Sequence, residues 1–343
     1  MSFKHIKISA LLLLFAGLGS CSLTLGPEIG SDKGSVFDYF WDTFDLQYSL
    51  FEQKGIDWDA SRAVYRDQAL NAATDEDLFD VLSSMIEPLD DGHVWLSGLG
   101  GYYFCDTWEH PEIPAAGYQF YLFRAEHYME SLSTTGSGLV SYGKMRDRNI
   151  GYIHISSMSS GLGGLTTLES WVEDVDRVIN SYMNTDALII DVRGNTGGYS
   201  ANAEHIASRF VGEKSLYLKT RVRIGAAHDD FGQVTSHYIE PHGTRYAKPV
   251  YLVTDADTVS AGEWFTLMMR KSDNVTHIGW RTLGATGMVS FHELPNGWEF
   301  STTIGHTTDE NGICYEETGI VPEIVTPYDP GDYDSVMEWI LNL

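Results

Sequence analysis

The chain has 343 residues, 43% of them hydrophobic and 13% aromatic, and a net charge of −26. Apolar content of that order suits one or two packed domains and excludes a disordered or low-complexity chain. The acidity opposes a nucleic-acid partner, and no CxxC or Cys/His spacing suggests a structural metal, so no nucleic acid, metal or cofactor is expected.

The chain opens on "MSFKHIKISALLLLFAGLGSC", with basic Lys4 and Lys7, an apolar run from Leu11 to Phe15, and small residues before Cys21. That is the layout of an export signal, and the apolar run is too short to span a membrane comfortably. Leu18-Gly19-Ser20-Cys21 resembles the bacterial lipobox. It predicts a signal peptide over 1–20, a lipid on Cys21 as the membrane partner, and a place in the cell envelope.

Residues 21–35 read as a linker. Phe37, Phe40, Trp41, Phe44, Tyr48 and Phe51 then recur at helical spacing, a stripe that predicts core packing. A second helix is expected over Ser61–Leu70. Thr74-Asp75-Glu76-Asp77 reads as an N-cap with an acidic first turn, opening a helix through Met85 that Pro88 stops. Residues 36–93 therefore form a predicted helical cap. Residues 94–148 show short aromatic strands and loops, read as a lid or a reduced insert. Cys105 and Cys314 could pair in an exported protein, but their positions in sequence do not decide it.

From residue 149 to 343 the texture alternates. "IGYIHIS", "ALIIDVRG" and "KPVYLVT" read as strands; Leu165–Met183, Asn202–Val211 and Ala261–Lys271 read as helices. Such alternation predicts an α/β fold with a mostly parallel sheet and flanking helices. Ligands of such sheets gather where loops leave the carboxyl ends of strands. One such loop is "DVRGNTGGYS", whose glycines suit a tight turn, a phosphate cradle or an oxyanion hole. The first phosphate-binding signatures, GxxxxGK[ST] and GxGxxG, are missing from it. The other is "DADTVSAGEWF". By itself Ser260 there reads as a helix N-cap or as a nucleophile with the Ala261 amide next to it.

Four motifs in order change that balance. Leu89-Asp90-Asp91-Gly92-His93, Asp191 to Gly198, Thr258 to Glu263 and Glu316 to Glu323 resemble the signatures of the tail-specific serine peptidases. That family includes C-terminal processing proteases, the tricorn core protease and interphotoreceptor retinoid-binding protein modules. The resemblance covers about residues 36 to 327 and implies a crotonase-like ββα core. Residues 94–148 are short for the PDZ module that many members insert there. Processing proteases take a lysine as general base from a turn after the nucleophile, where this chain has Ala285. The tricorn branch uses an upstream histidine and a downstream glutamate, and His93 and Glu316 fill both places.

The implied reading is a serine endopeptidase acting on a peptide or protein substrate. Ser260 is then the nucleophile, His93 the base and Glu316 the orienting acid, with Gly197, Gly198 and Ala261 forming the oxyanion hole. Asp191 and Arg193 are expected to shape their loop, and His292, His306 and Glu263 to lie on hairpin or helix surfaces. Gly92 replaces the serine that precedes the histidine in the tricorn pattern. A rival reading is a catalytically silent surface lipoprotein that binds peptides or apolar ligands on the same scaffold.

Overall fold

A computed structural model describes residues 30–105, 123–161, 168–327 and 334–343. The signal segment and Cys21 lie outside the described residues. Among the described residues no helix is long and apolar enough to cross a membrane.

The cap is helical, as its periodicity requires. Helix α1 (Lys33–Gln47) starts at Asp32, whose carboxylate accepts the Gly34 and Ser35 amides. A single turn, α2 (Phe51–Lys54), leads to α3 (Trp58–Asn71) and α4 (Asp75–Ile86). Helix α4 opens with the capping box Thr74/Asp77, and Pro88 sits in the 3-10 turn Glu87–Leu89 that closes it. Phe37, Phe40, Phe44, Tyr48 and Phe51 are all buried. Their stripe meets Phe300 of the body, with ring centroids 4.8 Å from Phe40 and 5.8 Å from Phe44. The cap is thus fastened to the sheet beneath it by aromatic packing.

The body holds two sheets. The larger orders its seven strands β13 (Ile324–Val325), β10 (Val275–Gly279), β9 (Val250–Thr254), β6 (Ala187–Asp191), β5 (Ile150–Ile155), β4 (Val140–Met145) and β3 (Met129–Thr134). The first five are parallel, and β4 and β3 extend the edge antiparallel. Alternate side chains face opposite ways along a strand. Leu188, Ile190, Val250 and Leu252 therefore share one core with α5 (Val172–Ser181), α6 (Ser200–Ala207) and α7 (Ala261–Met269). Ile189, Val253 and Ile278 face the other way, onto α8 (Ser335–Leu341) through Val336, Met337 and Ile340.

The second sheet is antiparallel, in the order β2 (Gly101–Phe104), β1 (Trp95–Gly98), β12 (Glu299–Thr308), β7 (Ser215–Val222), β8 (Thr235–Ile239), with β11 (Met288–Glu293) also on β12. A hairpin turn at Pro295–Gly297 joins β11 to β12, and the short aromatic strands expected after residue 94 include β1 and β2 of this sheet. The described part of residues 94–148 does not stand apart: β1 and β2 join this sheet, and β3 and β4 join the larger one. Helices α5, α6 and α7 are shorter than expected. Residues 162–167, within reach of the first, lie outside the described residues. Cys105 and Cys314 are free thiols; buried Cys105 contacts the Ile86 carbonyl at 2.7 Å.

Candidate active site

Strands β6 and β9 are parallel neighbours, so the loops that leave their carboxyl ends emerge side by side. They are stitched together by buried polar contacts. The Thr258 hydroxyl contacts the Val192 carbonyl and Asp255 Oδ1, and the same Oδ1 accepts the Gly194 amide at 2.9 Å. The Val259 amide donates to the Asn195 carbonyl at 3.0 Å.

Ser260 sits at the N-terminus of α7. A helix-capping residue is normally extended, but Ser260 has φ +55° and ψ −120°. For a residue with a Cβ that is a strained conformation. A serine on a strained strand-to-helix turn is the arrangement that presents a nucleophilic oxygen. The opposing loop comes very close. A Cβ on Gly197, at φ +76°, would lie 2.7 Å from Ser260 Cβ, 2.9 Å from the Val259 carbonyl and 3.2 Å from the Ala261 nitrogen.

The three expected oxyanion donors separate on inspection. The Gly197 amide is already given to Asn195 Oδ1 at 2.9 Å, so it is not free to bind an oxyanion. Asn195 is fully buried, and its amide group also holds the Ile155 carbonyl at 2.8 Å. Gly197 instead supplies the close approach. The Gly198 and Ala261 amides are given to no acceptor among the described residues, which leaves two N–H groups for developing negative charge.

Glu263 is not a surface residue: its exposure is 0%. Oε2 accepts the Ser260 and Ala285 amides at 3.0 and 2.9 Å, and Oε1 accepts the Gly284 amide and the Thr282 hydroxyl at 2.8 and 2.6 Å. Burial pushes its carboxyl up to about 7 against the pull of these four donors. The sequence carried a signal for this. Helix α7, AGEWFTLMM, is apolar on every side, and a helix apolar all round has no wet face for an acid. Ala285, in the place of the relatives' lysine, is buried, and its carbonyl accepts the Ser260 amide at 3.1 Å.

His93 leaves the cap on the turn before β1. Its amide donates to Asp91 Oδ1 at 2.8 Å, and its carbonyl accepts the Ser301 hydroxyl of β12 at 2.5 Å. Asp91 is buried and also accepts the Tyr48 hydroxyl at 2.9 Å. Burial lowers the His93 imidazole below its ordinary range, with Asp91 pulling the other way. Its Nδ1 is buried with no hydrogen-bond partner among the described residues.

Glu316 is buried too. It accepts the Thr286 hydroxyl at 2.9 Å, and Thr286 in turn contacts the Thr307 hydroxyl at 2.7 Å. Burial, then the charges of Asp91 and Glu263, raise its carboxyl well above the usual range. Asp91, Glu316 and Glu263 thus form a run of buried acids from the His93 turn to the Ser260 turn. Among the described residues, no hydrogen bond joins Ser260 Oγ to His93 or His93 to Glu316. His292 and His306 lie half-buried in the antiparallel sheet, His292 stacked on Phe300 at 4.9 Å. Asp191 and Arg193 form a buried ion pair at 2.6 Å behind the glycine loop. No His/Cys/Asp/Glu group that could hold a metal occurs among the described residues.

Residues 149–326, more than half of the chain, match the model of peptidase family S41. The chain belongs to peptidase family S41. Residues 32–87, the helical cap, match the tricorn protease C1 domain. The carboxy-terminal processing protease CtpB of Bacillus subtilis is 26% identical over 207 residues, which are 60% of this chain and 38% of that protein. CtpA of the same organism is 25% identical over 183 residues, 53% of this chain and 36% of its own length. The chain therefore spans little more than a third of these two curated relatives. A solved structure from Parabacteroides merdae, assigned as a peptidase, superposes with a TM-score of 0.78 at 28% identity, covering 91% of this chain and 96% of that one. The tricorn protease shares the fold at a TM-score of 0.55 and 16% identity, over 91% of this S41 chain and 36% of its own.

Proposed function

We propose that this S41 chain is a serine endopeptidase that cleaves peptide or protein substrates through an acyl-enzyme on Ser260. The observation that carries the reading is the strained Ser260 turn pressed against Gly197, with the Gly198 and Ala261 amides unclaimed. Ser260 Oγ attacks the scissile carbonyl carbon while His93 takes its proton. The tetrahedral oxygen is held by Gly198 and Ala261. Collapse breaks the C–N bond, His93 returns the proton to the leaving amine, and water then cleaves the acyl ester by the same route. A lowered imidazole suits the base role, because His93 is neutral at pH 7 and can accept the proton. The ring has yet to swing onto the serine, and catalytic hydrogen bonds in unliganded enzymes are often long before substrate tightens them. Glu316 acts on this chain through the Thr286 hydroxyl, which it binds, rather than by touching the imidazole.

Ser260→Ala is expected to abolish labelling by a fluorophosphonate probe and to lower peptide hydrolysis by roughly 10⁴-fold or more, in line with removal of other serine nucleophiles. Equal labelling of the variant would remove Ser260 from the mechanism. The partnerless His93 Nδ1 favours one second reading, a silent binder of peptides or apolar ligands. A wild-type chain that binds peptide and never labels would establish it.

The lipobox-like segment supports an exported protein held at the bacterial cell envelope by lipid on Cys21. Mass spectrometry of the membrane fraction should find a diacylglyceryl-modified N-terminal Cys21, and Cys21→Ser should move the protein to the soluble fraction. An unmodified Cys21 in membrane-bound protein would overturn the anchor.

A further inference from the structure

We propose that Glu263 is a positioning residue whose carboxylate clamps the Ser260 turn to the Thr282–Ala285 turn, and that taking up one proton opens the clamp. The site would then be switched by pH through Glu263 as well as through His93. The inference rests on Ser260 being the nucleophile, and its geometry stands apart from that role.

The two oxygens of Glu263 receive four donors, and each is fixed as a donor. Three are backbone amides. The fourth, Thr282 Oγ1, accepts the Ile320 amide at 2.7 Å and so turns its own hydrogen to Glu263. A carboxylate satisfies all four because it only accepts. A neutral acid carries a hydrogen on one oxygen, which must point at one of these donors, so at least one contact breaks. Two of the four anchor the nucleophile turn and its facing turn directly, Ser260 N–H and Ala285 N–H on the same oxygen.

The surroundings set the pH range. Glu263 has no exposure, and among the described residues the titratable group acting on it is Glu316, whose own carboxyl burial raises, with Asp91 and Lys54 acting on Glu316 from beyond. The Ser260 turn and the Thr282–Ala285 turn bring three amides and one hydroxyl. The balance leaves the Glu263 carboxyl near 7, against an ordinary value of 4.5. Because the folded value is raised, the group's contribution to stability is fully present below about pH 4.5 and is lost as pH rises through about 7. Stability and reactivity should therefore run in opposite directions with pH. A merely structural carboxylate gives no reason for that opposition.

The test measures the rate constant for inactivation by a fluorophosphonate between pH 5.5 and 9, with melting temperature over the same range, for the full chain, Glu263→Gln and Thr282→Val. In the wild type, inactivation should fall about tenfold per unit below pH 7, the slope of a single protonation. Glu263→Gln should be at least about tenfold slower at pH 8. It should lack the limb near 7 and keep only the lower limb of His93. Thr282→Val removes one donor and leaves the carboxylate, so its limb should move to higher pH. Wild-type melting temperature should drop more steeply between pH 5 and 7.5 than that of Glu263→Gln. A Glu263→Gln chain that reacts at the wild-type rate with the wild-type profile overturns the clamp. If Glu263→Gln does not fold, an unmoved limb in Thr282→Val overturns it. Should the wild type never label, the peptidase reading fails instead, and equal melting slopes in wild type and Glu263→Gln would dispose of the clamp.

Discussion

Gly197→Ala is expected to slow acylation of Ser260 by about 10²–10³-fold, the usual effect of removing one oxyanion donor. The added methyl would stand 2.7 Å from Ser260 Cβ and 2.9 Å from the Val259 carbonyl, distances that real Cβ atoms do not adopt. Both obstacles are short and tied to backbone, so no flexible side chain can yield. The glycine loop must retreat, and the next residue on it is Gly198, whose amide is one of the two unclaimed donors. The φ of +76° adds about 1–2 kcal/mol of backbone strain for alanine. Gly297→Ala separates the two effects. It sits at φ +83° in the hairpin turn with nothing within 4 Å of an added Cβ, so it should share the strain and leave acylation unchanged. Second-order rate constants for a fluorophosphonate, alongside urea unfolding, make the comparison. A Gly197→Ala chain that acylates as fast as the wild type would mean the loop does not position the oxyanion donors.

The parallel core was readable because its strands are buried on both faces. Ala187–Asp191 is buried at every position, so it reads as an unbroken apolar run between helical segments. The capping box at Thr74 and Asp77 was readable because it is local, with both halves within four residues. The antiparallel sheet was not readable for the opposite reason. Thr235–Ile239 and Gly101–Phe104 each leave most residues wet or half-wet and bury little, so neither carries a period that a strand assignment could use. In the site, Ser260 was ambiguous because S-x-x-E is also how an exposed helix begins. Only the wholly apolar course of α7 distinguishes a buried Glu263 from a surface one. That the Gly197 amide is spent on Asn195 left no trace in sequence, since it depends on how the loop folds back on itself.

Arg193→Ala should lower the stability of the chain by about 3–5 kcal/mol at neutral pH, the range for breaking a buried ion pair by removing one partner. The guanidinium lies between two acids with no access to water. It meets Asp191 Oδ2 at 2.6 Å and Asp334 Oδ2 at 2.8 Å, with all three side chains at most 1% exposed. Each acid has a second duty. Asp191 ends β6 and accepts the Tyr152 hydroxyl at 2.9 Å, while Asp334 caps α8 by accepting the Val336 and Met337 amides. Arg193 therefore ties the C-terminal helix to the strand that carries the glycine loop. Burial alone would raise Asp191, and it is the charge and hydrogen bonds of Arg193 that hold it below the ordinary carboxylate range. In the wild type that depressed value contributes stability above the unfolded pKa, near 3.8, which is lost only in stronger acid. Without Arg193 the sign reverses, because a buried, unpaired carboxyl has a folded pKa above its unfolded one. The variant should then be least stable at neutral pH and regain part of the loss on acidification toward about pH 5. Urea unfolding at both pH values measures this directly. A deficit that is the same at both would show that Arg193 is not what neutralises the two buried acids.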